Sequence, residues 1–447
     1  MNQRKPPNKP VTQSEIPSSR VSRFLKIGSM ASSLTGNIIK NTASAALRAQ
    51  APSAQNTLLN INNAKTITKH LAHMRGAAMK LGQMLSMDAG ELLPPEWEPV
   101  LALLREQAHS MPQHQLEQVL QHNWGSNWQH HFAEFDMQAI AAASIGQVHK
   151  ATLTSGEVVA VKVQYPGVSA SIDSDIDNVA GLLKLARLIP KGLDINSILQ
   201  QAKAQLKQEA DYLSELSYLQ RYQTLLMHDK RYVVPKAYAH LSTPQILCME
   251  YITARPMAEL VYDTVKTRTT IVENLFELVF NELFTFQFMQ SDPNYANFMY
   301  NDTTKQLVLL DFGACRTLSD HATQGYKNMA RAMQAQNKDD ILSALLSLGL
   351  LNNNTPSAAT QIVINACLMA SECLQTPSYN VKQARIVKRL QDLTKGLVSD
   401  KNAIAAPDFD VALVNRKISG TVLLANKMDV PINLAALLAP FIQSTRN

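Results

Sequence analysis

The sequence predicts an α+β fold of two lobes preceded by a helical extension. Three observations predict it. The stretch "AIAAASIGQVHKATLTSGEVVAVKVQ" (139–164) reads as a β-hairpin whose second strand carries one lysine. Long helical patterns flank it on both sides. Past residue 255 helices dominate, and two acidic motifs, "QSDPNYANF" and "LLDFGA", interrupt them.

At 447 residues the chain exceeds what one core fills, so two or three packed units are expected. The apolar fraction, 46%, is that of a globular protein. Net charge is +6, and residues 1–50 hold eight Lys or Arg against one acid, Glu15. A basic front of that size suits an anionic membrane surface, an organelle address or simple solubility. Nothing in it calls for nucleic acid. Cys248, Cys315, Cys367 and Cys373 lack metal-ligand spacing and read as free thiols of a reducing compartment. No run of about 18 apolar residues predicts a membrane-spanning helix. The nearest, "INLAALLAPFI", is short and broken by Pro440, and the first 20 residues lack the apolar core of a secretory signal.

In chain order, residues 1–20 read as a disordered basic tail rich in Pro, Lys, Gln and Ser. Residues 21–135 form the helical extension. It opens with an amphipathic helix, Val21 to Lys40, with Phe24, Ile27, Ala31, Leu34 and Ile38 on one side and Arg23, Lys26 and Lys40 on or near the other. That helix suits a membrane surface or the protein's own core equally. More helix follows from residue 56, broken at Pro94 and Pro95. Residues 136–254 make the smaller lobe: the alanine-rich turn, the hairpin, helices over 171–189 and 198–222, and a buried strand "ILCMEYI". Residues 255–447 make a mainly helical lobe with one short strand, "QLVLLDFG".

Strand alternation puts Val159, Val161 and Val163 on one face and Ala160, Lys162 and Gln164 on the other. A lysine there faces solvent or needs a partner. Downstream, Asp292 is followed at +5 by Asn297, and Asp311 ends an apolar strand ahead of Phe312 and Gly313. That is the spacing of kinase catalytic machinery, so the expected fold is bilobal and protein-kinase-like. Asn297 and Asp311 offer the oxygen ligands that the hard cation Mg²⁺ takes. Asp292 orients or deprotonates a nucleophile beside the γ-phosphate of ATP. Lys162 neutralises phosphate charge and needs a helix-borne glutamate, for which Glu209 and Glu215 both lie in the right segment. No His-Arg-Asp precedes the loop, where Gln290 and Ser291 stand, and no Ala-Pro-Glu closes an activation segment after Asp311. Both absences disfavour peptide phosphorylation.

The ordered motifs resemble the UbiB family of atypical kinase-like proteins, also called aarF-domain kinases, and most closely the branch that supports ubiquinone (coenzyme Q) biosynthesis. "KLGQ" (80–83), "AAAS" (141–144), "QSDPNYANF" and "LLDFGA" carry the match, with "LKQEADYLSE" and "KVQYPGV" beside them. Ala296 stands where many members have Gly. The resemblance implies that the extension folds over the active cleft. Lys80, Gly82 and Gln83 would then lie near the nucleotide, and Lys80 would supply a second cation. Which glutamate meets Lys162 stays open between Glu209 and Glu215, with Glu215 favoured for Lys162 and Glu209 for Lys80. Ala141, Ala142, Ala143 and Ser144 replace a glycine-rich cradle. Alanine restricts positive φ and close amide approach, so such a loop holds ATP differently and discourages transfer to protein hydroxyls. Glu250, Tyr251, Ile252 and Thr253 become the adenine-contacting hinge.

The function implied is that of a Mg-ATP-dependent ATPase or small-molecule or lipid kinase at a membrane surface. Its partners would be a quinone precursor or lipid and other ubiquinone-biosynthesis proteins. The location expected is cytoplasmic with peripheral membrane contact, or mitochondrial in a eukaryote. The alternatives are a nucleotide-binding pseudokinase scaffold and, disfavoured, a protein kinase acting in trans.

Overall fold

The alternation across 146–164 folds as a long antiparallel hairpin in the computed structural model. The structure describes residue 80 and residues 111–185, 195–292, 294–398 and 408–443. The tail 1–20, the helix Val21 to Lys40, the break at Pro94 and Pro95, and Gly82 and Gln83 lie outside the described residues. The chain divides into two compact units. One takes residues through Leu216 together with Ala237–Tyr251, and the other takes Ser217–Lys236 and everything from Ile252 onward.

In the first unit, α1 (Gln113–Trp124) buries Leu116, Val119 and Leu120, the three- and four-residue spacing of an amphipathic helix. The sheet follows: β1 (Phe132–Phe135), β2 (Ala141–Ala142), β3 (Gly146–Leu153) and β4 (Val158–Gln164). The β3–β4 turn needs Gly156, whose φ is 90°. Then come α2 (Val168–Leu185), α3 (Ile195–Glu209) and α4 (Tyr212–Leu226). Next are β5 (Tyr232–Val233), which belongs to the second unit, and β6 (Ile246–Glu250), which completes the first sheet in the order β1-β3-β4-β6 with β2 on β3. Both faces of β4 are buried, because Lys162 and Gln164 are covered, as are the valines on the other side. A core of Val159, Val161, Val163, Ile172, Ile176, Leu206 and Leu247 packs the sheet against these helices.

The continuous helical reading over 198–222 is corrected at Ala210 and Asp211. Asp211 caps α4, accepting from Ser214 N at 3.1 Å and from Ser214 Oγ at 2.6 Å. The signal is legible in "DYLS", an Asp three residues ahead of a Ser.

In the second unit, β7 (Arg255–Pro256) leads to α5 (Val265–Phe280), capped by Thr264. A π turn, Asn281–Thr285, continues it. Strands β8 (Phe288–Gln290), β9 (Phe298–Asn301), β10 (Gln306–Leu309) and β11 (Cys315–Thr317) follow. They form a four-stranded sheet, β5-β10-β9-β7, and a two-stranded one, β11-β8. The sequence reading expected one strand here. The others are two to four residues long, too short for periodicity to register. Helices α6 (Asp320–Gln334), α7 (Lys338–Ser347), α8 (Ser357–Ala370), α9 (Ile386–Val398) and α10 (Phe409–Met428) build the rest, closed by α11 (Leu434–Ile442). Ser319 and Asn337 cap α6 and α7. One described segment is long and apolar enough to cross a membrane by length and composition alone, a test that a core helix also passes. Ser357–Leu374 passes on both counts, with a mean hydropathy of 1.2 over 18 residues. Gln361 and Asn365 disguise it in the sequence.

Candidate active site

Lys162 sits mid-strand in β4, opposite Val148 on one side and Leu247 on the other. It is 8% exposed. Its ammonium donates to both carboxylate oxygens of Glu215 at 2.8 and 2.9 Å and lies 5.0 Å from the Tyr212 ring centre. Glu215 stands in the first turn of α4, where the helix dipole favours a carboxylate. The kink at Ala210 and Asp211 separates it from Glu209, so the two glutamates meet different cations. Glu209 accepts from Lys80 Nζ at 2.5 Å through Oε1 and from Ser144 Oγ at 2.5 Å through Oε2. One carboxylate thus ties the lysine of "KLGQ" to the end of the alanine-rich turn. Lys80 is 2% exposed, which rules out an ordinary solvent-facing helix lysine.

The turn itself is a tight extension of the sheet. Ala141 and Ala142 pair with Val148 and Gln147, and Ala143 N donates to Gly146 O at 2.9 Å. Ala141 and Ala142 are exposed, Ala143 and Ser144 half-buried. The loop's one glycine, Gly146, serves the sheet. A Cβ there would stand 2.3 Å from Val163 O and 3.1 Å from the Tyr212 hydroxyl. At the end of β6, Tyr251 N donates to Val158 O at 3.0 Å, so the β4–β6 ladder takes that donor. Glu250 and Thr253 are exposed, Tyr251 and Ile252 half-buried.

Asp292, Asn297 and Asp311 belong to the second unit, where two strand pairings bring their segments together. Gln290 pairs with Cys315, and both the N–H and the hydroxyl of Ser291 donate to Ala314 O, at 2.9 and 2.8 Å. At the other end Phe298 pairs with Leu309, and Leu310 N donates to Asn297 O at 3.0 Å. The loop 291–297 and the Asp-Phe-Gly segment are therefore bracketed on both sides. Within the brackets, Asp292 Oδ1 accepts from Asn294 N and Asn294 Oδ1 from Ala296 N, which curls the loop. Asp311 Oδ1 accepts from Gly313 N at 2.9 Å. Asn297 Nδ2 donates to Asp292 O at 3.5 Å, which uses the amide nitrogen within the loop. A carboxylate and an amide oxygen are the donor types a hard divalent cation takes, and the chemistry of Mg²⁺ suits them. When bound, that ion would offset negative charge on phosphates.

Sequence reasoning missed four buried side chains behind this loop: Tyr222, Glu282, Gln290 as a side chain, and Lys417. Only Lys417 left a trace, as a cation inside the apolar helix "VALVNRKISGTVLL". Three of the four cysteines are held protonated by burial. Burial pushes Cys248 up to about 12 and Cys367 and Cys373 to about 11.

Residues 103–345 match the ABC1 atypical kinase-like domain, more than half of the chain. The chain belongs to the ABC1 atypical kinase-like family. Its relatives include the atypical kinase COQ8, mitochondrial, of Saccharomyces cerevisiae, 34% identical over 427 residues, covering 95% of this chain and 85% of that one. The atypical kinase COQ8B, mitochondrial, of Danio rerio is 31% identical over 426 residues, covering 94% and 68%. Among solved structures, the Mycobacterium tuberculosis protein Rv3197, determined with erythromycin, superimposes with a TM-score of 0.60 at 25% identity, covering 85% of this chain and 96% of that one. The resemblance read from the motifs holds, and the fold is kinase-like. The chain is an atypical kinase of the phosphotransferase class.

Proposed function

We propose that this chain is a Mg²⁺- and ATP-dependent enzyme of ubiquinone biosynthesis, an ATPase or small-molecule or lipid kinase that works at a membrane surface. The observation that carries the reading is the buried two-oxygen pairing of Lys162 with Glu215. A strand lysine kept charged inside a sheet needs a reason beyond stability, and phosphate neutralisation supplies one. In this reading Asp292 aligns the acceptor hydroxyl or water and takes its proton. The bond from the γ-phosphorus to its bridging oxygen breaks, and ADP leaves. Asn297 and Asp311 hold the metal. Lys80, tied to Glu209, and the turn Ala141–Ser144 shape the nucleotide's surroundings, with Glu250 to Thr253 beside the adenine. Residues 82 and 83 complete the Lys80 motif.

Two features support a small acceptor over a peptide. The helix α6 begins at Asp320, seven residues after Gly313, which leaves little chain for a peptide-docking segment. The alanine turn is hydrogen-bonded into the sheet rather than open. A quinone precursor or lipid is the acceptor or cargo, an anionic membrane the surface, and other proteins of the pathway the partners. The mitochondrial names of the relatives support a mitochondrial location in a eukaryotic cell.

The test is ATP hydrolysis by the purified chain, with and without anionic vesicles and a phenolic quinone mimic. The expected result is stimulated hydrolysis that Asp311→Asn abolishes and deletion of residues 1–20 leaves intact. Equal rates for the unaltered chain and Asp311→Asn would assign it to a nucleotide-binding scaffold instead.

A further inference from the structure

The four buried side chains behind the Asp292 loop form one connected cluster. Glu282 is 0% and Lys417 2% exposed. Lys417 Nζ lies 3.7 Å from Glu282 Oε2 and donates to Gln290 Oε1 at 3.0 Å. Tyr222 donates its hydroxyl to Glu282 Oε1 at 2.7 Å, and the Tyr222 hydroxyl oxygen in turn accepts the main-chain N–H of Gln290 at 2.7 Å. Gln290, two residues before Asp292, is thereby gripped by backbone and side chain together.

The cluster also touches the other two functional segments. The Tyr222 ring is 5.1 Å from that of Phe312, which follows Asp311. The Lys417 ammonium is 5.3 Å from the ring of Phe298, which follows Asn297. Each of the three segments is thus contacted at the residue beside it, or two away, on the chain.

Stability alone does not account for such a core. A buried ion pair rarely outperforms apolar residues of the same volume. Gln290 Nε2 stays buried without a hydrogen-bond partner, an unfavourable arrangement that an aliphatic side chain would remove. The backbone nearby is also unusual. Glu282 rides on the π turn that interrupts regular helix, and Gln287, at the approach to β8, has a φ of 46°. Such features gather at functional sites.

We propose that Tyr222, Glu282 and Lys417 are positioning residues that hold the Gln290–Asp292 segment, and through it the Asp292 carboxylate, in the orientation phosphoryl transfer requires. The proposal rests on the ATPase or kinase reading above. Its test compares the full chain with Tyr222→Phe, Lys417→Met and Lys417→Arg. The measurements are kcat and KM for ATP, and hydrogen exchange of the Gln290 amide. Tyr222→Phe and Lys417→Met should lower kcat at least tenfold with KM within twofold. Tyr222→Phe should also speed Gln290 exchange at least tenfold, and Lys417→Arg should recover most of kcat.

Tyr222→Phe keeps its ring on Phe312, so it decides the matter should Lys417→Met fail to fold. Unchanged kcat and unchanged exchange in Tyr222→Phe would overturn the proposal, as would Lys417→Arg performing no better than Lys417→Met. If the unaltered chain hydrolyses no ATP, the functional reading fails by itself. Exchange at Gln290 then still judges the network: faster in Tyr222→Phe supports it, unchanged overturns it.

Discussion

Replacing Glu215 by alanine removes the carboxylate that accepts twice from the Lys162 ammonium inside the first sheet. At 2.8 Å the Coulomb attraction lost is about 6 kcal/mol for an effective dielectric near 20. The desolvation of both ions, already incurred in the native fold, offsets part of it. The net effect of breaking one partner of a buried pair is about 3–5 kcal/mol. The Tyr212 ring at 5.0 Å gives the cation some support, which favours the low end of that range. Glu215→Ala should therefore destabilise by about 3 kcal/mol, or roughly 6–12 °C in Tm for a unit of this size. Lys162→Met should do likewise. The double variant Lys162→Met/Glu215→Ala should cost far less than the two single effects summed, because both desolvation terms vanish with the charges. Urea unfolding of all four proteins closes the cycle. A coupling below about 0.5 kcal/mol, with single effects that simply add, would refute the reasoning.

Three further outcomes are expected. Gly146→Ala puts a Cβ 2.3 Å from a main-chain oxygen that β4 cannot withdraw, so it should cost about 3 kcal/mol, read as a fall in Tm; an unchanged Tm would contradict it. His149 is buried as the neutral ring, accepting from Gln147 Nε2 and donating from Nδ1 to Asp136 O, and burial lowers its pKa below 6.5. Below pH 6.5 the unfolded chain takes up a proton that the folded chain refuses. Stability should therefore fall as pH drops from 6.5, and a His149→Gln variant should lose that part of the pH dependence in thermal melts. Ala143→Gly should raise ATP affinity or self-phosphorylation by loosening the turn whose N–H bonds Gly146 O, and ATP titration that shows neither would count against the loop's proposed role.

Local chemistry made several features of this chain readable from one end to the other. The hairpin followed from alternation and a Gly at a positive-φ turn, because strand and turn preferences act over a few residues. The spacing of Asp292, Asn297 and Asp311 named a kinase-like fold, since metal and phosphate chemistry restricts which side chains can serve. Other features were set only by three-dimensional contact. Glu209 and Glu215 lie six residues apart on what reads as one helix, and a bend at Asp211 sends one to Lys80 and the other to Lys162. The strands β8 and β11 are three residues each and exist because they pair with one another. Lys417 and Glu282, 135 positions apart, meet through packing that no local pattern encodes. Propensity and periodicity are properties of neighbouring residues, whereas a buried charge finds its partner only when distant helices close around it.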